Sequence, residues 1–134
     1  MSNTKVPPLT LESMWATLVA SNDIRVAALD GSIPWDDSFE FFGDLVASRL
    51  GDSSAPLSGT DFTAGAFTAD NTEITSTVDG DIIVALVVYA DTGVDATSPI
   101  LVYIDTNADT TDMTIESDGT TGTVSWPVTP IAQI

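Results

Sequence analysis

The feature that most constrains this fold is an uninterrupted apolar run, IIVALVVYA, at residues 82–90. A strand with one face in water alternates apolar and polar residues, but this run has no such alternation. It is also far shorter than the roughly 20 residues that cross a bilayer as a helix. The run therefore predicts a strand in the middle of a sheet with both faces covered. Its predicted neighbour is PILVYID, at residues 99–105.

Short strands separated by turn residues are predicted for most of the second half of the chain. The stretch AFTADNTEITSTV, at residues 66–78, is rich in threonine and β-branched residues, which favour strands. Asp79-Gly80 and Asp118-Gly119 are typical of hairpin turns, so each predicts that the strands on its two sides pair. The pattern predicts a mainly β fold, either an antiparallel β-sandwich or a jelly-roll-like barrel.

The N-terminal segment has different signals. Residues 1–9 include Pro7 and Pro8, which predict an extended arm, either disordered or laid on a neighbour. From Thr10 the apolar residues follow helical spacing and predict one N-terminal helix: Leu11, Met14, Trp15, Leu18 and Val19. Residues 10–134 are expected to form a single β-rich domain.

Two further segments have simple local patterns. DIRVAALD, at residues 23–30, alternates as a half-buried strand does. The segment from Gly51 to Thr60 is rich in Gly, Ser and Pro, which predicts a surface loop.

The charge balance restricts the possible partners. The chain has twenty acids against three Lys and Arg and no His, for a formal net charge of −17. Such a surface repels phosphate backbones and anionic lipid headgroups, so we expect neither a nucleic acid nor a membrane as partner. Without Cys and His, most familiar catalytic and metal-binding arrangements are excluded, and we expect no enzyme and no cofactor. The N-terminus lacks the apolar core of a secretory signal, which predicts synthesis in a cytoplasm.

One acidic loop has the ligand spacing of an EF-hand. Positions 1, 3, 5, 7, 9 and 12 of such a loop would be Asp105, Asn107, Asp109, Thr111, Met113 and Glu116. Position 6 holds Thr110 where the turn requires Gly, and the flanking segments are typical of strands. Asp105, Asn107, Asp109 and Asp112 therefore remain weak calcium candidates, and turn chemistry explains the same residues.

A second acidic loop contains Asp91 and Asp95 near Gly93. A hydrolase that uses two carboxylates needs them across a cleft, about 5–10 Å apart. The sequence shows no such cleft, so we expect both acids to cap and solvate a strand connection.

The segment GSIPWDDSFEFFGDL, at residues 31–45, is too rich in aromatic residues for an ordinary loop. Two interpretations are open: the rings form a lid over one end of the fold, or they form a subunit contact. The candidate partner-contact residues are those of this segment and of the arm: Val6, Pro7, Pro8, Leu9, Trp35, Phe39, Phe41 and Phe42.

Over residues 20–105 the order of segments resembles that of a known family. DIRVAALDGSIPWDDSFEFFGDL, then a Gly/Thr-rich strand region, then VALVVYADTGVDATSPILVYID is similar to the capsid decoration, or cement, proteins of tailed bacteriophages. In place of the Tyr-Gly-rich strand that members often carry, this chain has DFTAGAF, at residues 61–67.

The resemblance implies a small, mostly β virion protein without a catalytic site. It implies binding to the major capsid protein on the outside of the head, as a homo-oligomer that reinforces the shell. Two alternatives stay open: a head–tail connector or tail protein, and a calcium-dependent carbohydrate-binding module that uses the loops at 91–98 and 105–112.

Overall fold

The computed structural model describes residues 4–5, 17, 20–63, 66–75, 77–105, 114–117, 119, 122–124 and 132–133. The fold is mainly β, and all of its strand pairs are antiparallel. The strands are β1 (Thr4–Lys5), β2 (Asp23–Leu29), β3 (Arg49–Leu50), β4 (Asp61–Thr63), β5 (Ala66–Thr68), β6 (Thr72–Ile74), β7 (Ile82–Ile83), β8 (Ala85–Asp91), β9 (Ile100–Ile104), β10 (Ile115–Glu116), β11 (Gly122–Val124) and β12 (Ala132–Gln133). Three 3-10 turns lie between them: η1 (Phe42–Asp44), η2 (Val46–Ser48) and η3 (Asp95–Thr97).

The main sheet has five strands in the order β1-β9-β8-β2-β3. Strand β8 contains most of the apolar run and lies between β9 and β2, with Val88 opposite both Val102 and Val26. The predicted middle strand and its predicted neighbour, PILVYID, are therefore confirmed. Because the sheet has two different edges, β1 and β3, it does not close on itself, and of the two predicted architectures the jelly-roll-like barrel is not supported as a closed barrel.

Both faces of the main sheet are covered by apolar side chains. Along β8, alternate side chains enter two separate clusters, since successive residues of a strand point to opposite faces. The buried residues of the front cluster are Ile24, Val26, Ala28, Leu57, Phe67, Ile74, Leu86, Val88, Ala90, Leu101, Val102 and Ile104. Those of the back cluster are Ala27, Leu29, Phe42, Leu45, Ala85, Val87, Tyr89, Ile100 and Tyr103.

A β-bulge in β9 interrupts this alternation. Val88 lies opposite Val102 while the next residue, Tyr89, lies opposite Ile100, so Leu101 is the extra residue. As a result, Leu101 and Val102 both enter the front cluster although they are adjacent in sequence.

Strand β2 is buried on both sides, so the prediction of a half-buried strand is wrong. Its free edge is covered beyond β3 by the segment that follows, because Ser54 N donates to Val26 O at 2.8 Å and Leu57 N donates to Ile24 O at 2.7 Å. Ser54 is 1 % exposed. Part of the predicted surface loop is therefore packed against the sheet.

Besides a three-stranded sheet in the order β12-β5-β4, two sheets of two strands pair segments that are distant in sequence. β6 pairs with β11 and β7 pairs with β10. Gly80, at φ +93°, forms the predicted bend, but the strands on its two sides do not pair with each other. The same holds for β10 and β11 on either side of Gly119. Both hairpin predictions are wrong. The two bends lie side by side, joined by hydrogen bonds from Gly80 N to Ser117 O and from Ser117 N to Asp81 O.

The described residues do not support the predicted N-terminal helix. Thr17, Ala20 and Ser21 have helical backbone geometry, but no bounded α-helix occurs in the described part of the chain. The apolar residues that carried the prediction, Leu11, Met14, Trp15, Leu18 and Val19, lie outside it. Of the predicted arm, Thr4–Lys5 forms β1 at the edge of the main sheet, opposite Ile104 and Tyr103.

Candidate functional site

The aromatic segment begins with a tight turn held by an aspartate. Ser38 N donates to Asp36 Oδ1 at 2.8 Å and Phe39 N donates to Asp36 O at 2.9 Å. The hydrogen bonds from Ser38 lower the pKa of Asp36 below its ordinary value of 3.8. Beside the turn, the indole N–H of Trp35 donates to Asp37 Oδ1 at 2.8 Å. The turn therefore fixes the orientation of the Trp35 ring.

Backbone hydrogen bonds fasten the end of this segment to the start of β9. Phe42 N donates to Ser98 O at 2.8 Å, and Ile100 N donates to Glu40 O at 2.9 Å. Asp44 Oδ2 accepts hydrogen bonds from the backbone N–H groups of Glu40 and Phe41, each at 3.2 Å. The segment is thus held as an extra piece of strand along β9.

The rings pack on two tyrosines of the back face. Phe42 stacks on Tyr89, with ring centroids 4.0 Å apart and planes 2° apart. Trp35 lies 5.0 Å from Tyr103 between ring centroids, and its other contact is an edge-to-face one with Phe39 at 5.8 Å. These contacts make the segment a cover over the back cluster.

The four predicted contact residues of this segment differ in how much surface they offer. Phe42 is 0 % exposed and belongs to the core. Trp35, Phe39 and Phe41 are each partly exposed, and we call these three the aromatic surface. The other predicted contact residues, Val6, Pro7, Pro8 and Leu9, lie outside the described part of the chain.

A polar network that the sequence did not indicate lies at one end of the same face. Arg25 Nε donates to Asp91 Oδ2 at 2.7 Å, and Arg25 Nη1 donates to Ser54 O at 2.9 Å. Asp91 Oδ1 accepts a hydrogen bond from Gly93 N at 2.8 Å, which confirms its predicted role in capping the loop. Because Asp91 is held by a guanidinium and a backbone amide, it is poorly placed to act as half of a catalytic carboxylate pair.

Two buried tyrosines have shifted acidities. The hydroxyl of Tyr89 donates to Ser53 Oγ at 2.7 Å, and Arg49 Nη1 donates to the same Ser53 Oγ at 3.4 Å. Burial raises the pKa of Tyr89 above its ordinary value of 10.0. Burial also raises the pKa of Tyr103, with a smaller contribution from the charge of Asp105. Both side chains are therefore neutral at pH 7 and serve as packing surfaces for Phe42 and Trp35.

The structure describes only the two ends of the candidate calcium loop, Asp105 and Glu116. Asn107, Asp109 and Asp112 lie outside the described residues, while Asp105 follows β9 and Glu116 lies exposed on β10. Within the ranges that the structure describes, no three acidic side chains are grouped so that they could hold a metal ion. A search of those ranges also found no helix long and apolar enough to cross a membrane.

Comparison of the chain with protein-family models, with curated proteins and with solved structures gave no match. The aromatic surface can bury apolar area against another molecule. The polar network around Arg25 supports the fold.

Proposed function

We propose that this chain is a structural, non-catalytic protein that binds the outside of a tailed-bacteriophage head and stabilises it. The observation that carries the proposal is the aromatic surface, whose rings stand on a segment bonded to the main sheet. Aromatic side chains are frequent anchors of protein interfaces, since they bury a large area at little conformational cost. The sequence resemblance supplies the partner, the major capsid protein.

In this proposal the body of the protein is an antiparallel β-sandwich. Phe67 of β5 and Ile74 of β6 pack in the front cluster against the main sheet, as expected where two sheets face each other. The aromatic segment covers the opposite face. A body of this kind offers area and shape to a shell without any reactive group.

The charge distribution suits the same role. A chain with a formal net charge of −17 keeps the particles that carry it apart in solution when its acids face outward. In this proposal the copies are arranged by the symmetry of the shell and are joined to each other. Contacts that are weak one at a time then give firm binding, because avidity raises the effective affinity.

The test uses purified particles from the source of this chain. We expect the chain to be present in stoichiometric amounts and a particle reconstruction to place it on the outer surface of the head. Density at the portal or tail would identify the connector or tail protein instead. A chain that stays free in the lysate and is absent from particles would refute the proposal.

Rebinding to particles stripped of this protein tests the aromatic surface. Replacing Trp35 and Phe41 by alanine is expected to weaken binding by at least about thirtyfold, because a single central aromatic anchor already contributes roughly 2 kcal/mol or more. Phe67→Leu is the matched control, since it perturbs the front cluster away from this surface. Equal binding by the double variant and the control would contradict the assigned contact.

A calcium-dependent binding module would behave differently on heating. A ligand that binds only the folded state raises the melting temperature. The structural proposal predicts the same melting temperature with calcium and with chelator at matched ionic strength. A rise with calcium alone would favour the module.

A further inference from the structure

The N-terminal strand β1 and the strand β3 at the opposite edge have two residues each and are the shortest strands of the main sheet. Strand β1 places Thr4 opposite Ile104 and Lys5 opposite Tyr103, and it forms the outer edge of the sheet next to β9. The main-chain bonds of a strand this short compete with the entropy of ordering the arm. Strand β3 is as short, but the bonds from Asp30 N to Ser48 O and from Ser54 N to Val26 O fasten the chain on both sides of it, so the pairing of β1 is the part of the sheet that is released most readily.

The edge of strand β9 that faces away from β8 is covered by two separate segments. All five residues of β9 are buried. At one end, its edge is occupied by the aromatic segment through the bond from Ile100 N to Glu40 O. At the other end, β1 covers the edge at Tyr103 and Ile104. When β1 leaves, the main-chain groups there become a free edge, which is a template for a strand of another chain.

The sequence after β1 favours an extended course. Val6 and Pro7 each precede a proline, and a residue in that position is restricted to extended conformations. The segment 6–22 links β1 to β2, which lies on the far side of β9 and β8 in the sheet. Because this link has 17 residues, the chain is long enough for Thr4–Lys5 to reach a neighbouring copy.

We propose that copies of this chain exchange β1, so that Thr4–Lys5 of one copy pairs with β9 of a neighbouring copy in the register seen within one chain. The same hydrogen bonds form in both arrangements, so local concentration decides which is populated. The partner that this edge takes is a second copy of the protein. This inference does not depend on the proposed function.

The chain has no cysteine, so an introduced pair reports on this contact alone. Residues directly opposite in an antiparallel pair are about 4.5–5.5 Å apart at Cα, which suits a disulfide. Oxidation of the Thr4→Cys/Ile104→Cys variant is expected to give disulfide-linked dimers and larger species, in a fraction that rises with protein concentration. Only an internal disulfide at every concentration, or none, would overturn the proposal.

The control pair is Ile82→Cys/Glu116→Cys, since these residues lie opposite each other on β7 and β10 and both are exposed. It is expected to give an internal disulfide at every concentration. In a mixture of a Thr4→Cys chain with a size-tagged Ile104→Cys chain, the product expected is the mixed dimer. Absence of that dimer would count against exchange.

Deletion of residues 1–5 gives a second readout that needs no change in the core. Light scattering is expected to show concentration-dependent oligomers for the full chain and monomers for the shortened one, with a cooperative thermal melt for both. A full chain that stays monomeric over the whole concentration range, or a shortened chain that still forms the same oligomers, would overturn the proposal.

Discussion

Arg25 lies between two acids at one end of the main sheet. Asp23 and Asp91 face each other in register at the end of β2 and β8, where like charges repel. The guanidinium contacts both, at 2.7 Å for Asp91 and 4.0 Å for Asp23. Arg25 is thus the counter-ion that allows two acids to stand opposite each other at the end of the main sheet.

Replacing Arg25 by methionine is expected to lower the free energy of unfolding by about 1–3 kcal/mol. This lies between the values for exposed and for buried ion pairs, because both partners are partly buried. Urea denaturation at pH 7 measures it. Arg49→Met is the control and is expected to cost under about 1 kcal/mol, since Arg49 donates to Ser53 Oγ at 3.4 Å. Equal losses in the two variants would show that the facing acids need no counter-ion.

The two tyrosines predict a loss of stability in alkali. Their pKa is raised in the folded state, so the stability they contribute is complete below about pH 10 and is lost as pH rises through the folded pKa. Tyr89 and Tyr103 are the only tyrosines, so tyrosinate absorbance during a pH titration follows them alone. The Tyr89→Phe/Tyr103→Phe variant is expected to lose less stability above pH 10. If the variant lost as much stability above pH 10 as the parent, groups other than these two tyrosines would be responsible for the loss.

At the scale of single residues, the sequence predicted roles that depend on neighbours along the chain. Asp91 was expected to cap its loop, and it does so two residues away, at Gly93. Its pairing with Arg25 spans 66 positions and follows from the register of β2 and β8, which a local pattern does not specify. The sequence also did not predict that Phe42 would be buried while the adjacent Phe41 stays partly exposed.

At the scale of elements, the close approach of η1 and η3 holds the aromatic segment on β9. A Cβ added at Gly43 would lie 2.9 Å from Ala96 Cα, which is backbone and cannot turn aside. Glycine is therefore needed at this position for space.

Gly43→Ala is expected to destabilise the protein by about 1–3 kcal/mol, since it forces two backbone segments apart. It should also increase hydrogen exchange at the amides of Phe42 and Ile100. Ala47→Ser, at an exposed position of η2, is the control and is expected to lie within about 0.5 kcal/mol of the parent. Unchanged exchange at the two amides in Gly43→Ala would mean that η1 adapts without leaving β9.

The strands were predicted better than their partners. The apolar run identified β8 and its neighbour β9, because a strand without polar alternation has to be covered on both faces. The Asp-Gly dipeptides identified bends at Gly80 and Gly119 correctly. They failed as hairpin signals, because the strands beside one bend pair with the strands beside the other: β6 pairs with β11, and β7 pairs with β10. The residues of a turn carry no information on such distant pairing.

The large excess of acids over bases opposes the compact state of this chain. Raising NaCl from about 0.1 M to about 1 M shortens the Debye length from roughly 10 Å to roughly 3 Å, which screens this repulsion. We expect the melting temperature to rise by about 4 °C or more, equivalent to roughly 1 kcal/mol for a domain of this size.

The matched control for the salt effect is Glu73→Gln/Glu116→Gln, which neutralises two exposed acids without changing their shape. This variant should melt higher than the parent at low salt and respond less to added NaCl. A melting temperature that falls with NaCl would mean that attractive pairs such as Arg25–Asp91 outweigh the net repulsion.

The wide separation of β2 and β8 has a consequence for protein synthesis. Val26 pairs with Val88, 62 positions later, so a nascent chain growing at about 5–20 residues per second waits roughly 3–12 s before β8 has been translated. During that interval the edge of β2 that pairs with β8 is open, and this apolar segment can associate with other nascent chains. The charges of Asp23, Arg25 and Asp30 then act as gatekeepers that discourage association with other unfinished chains on the ribosome.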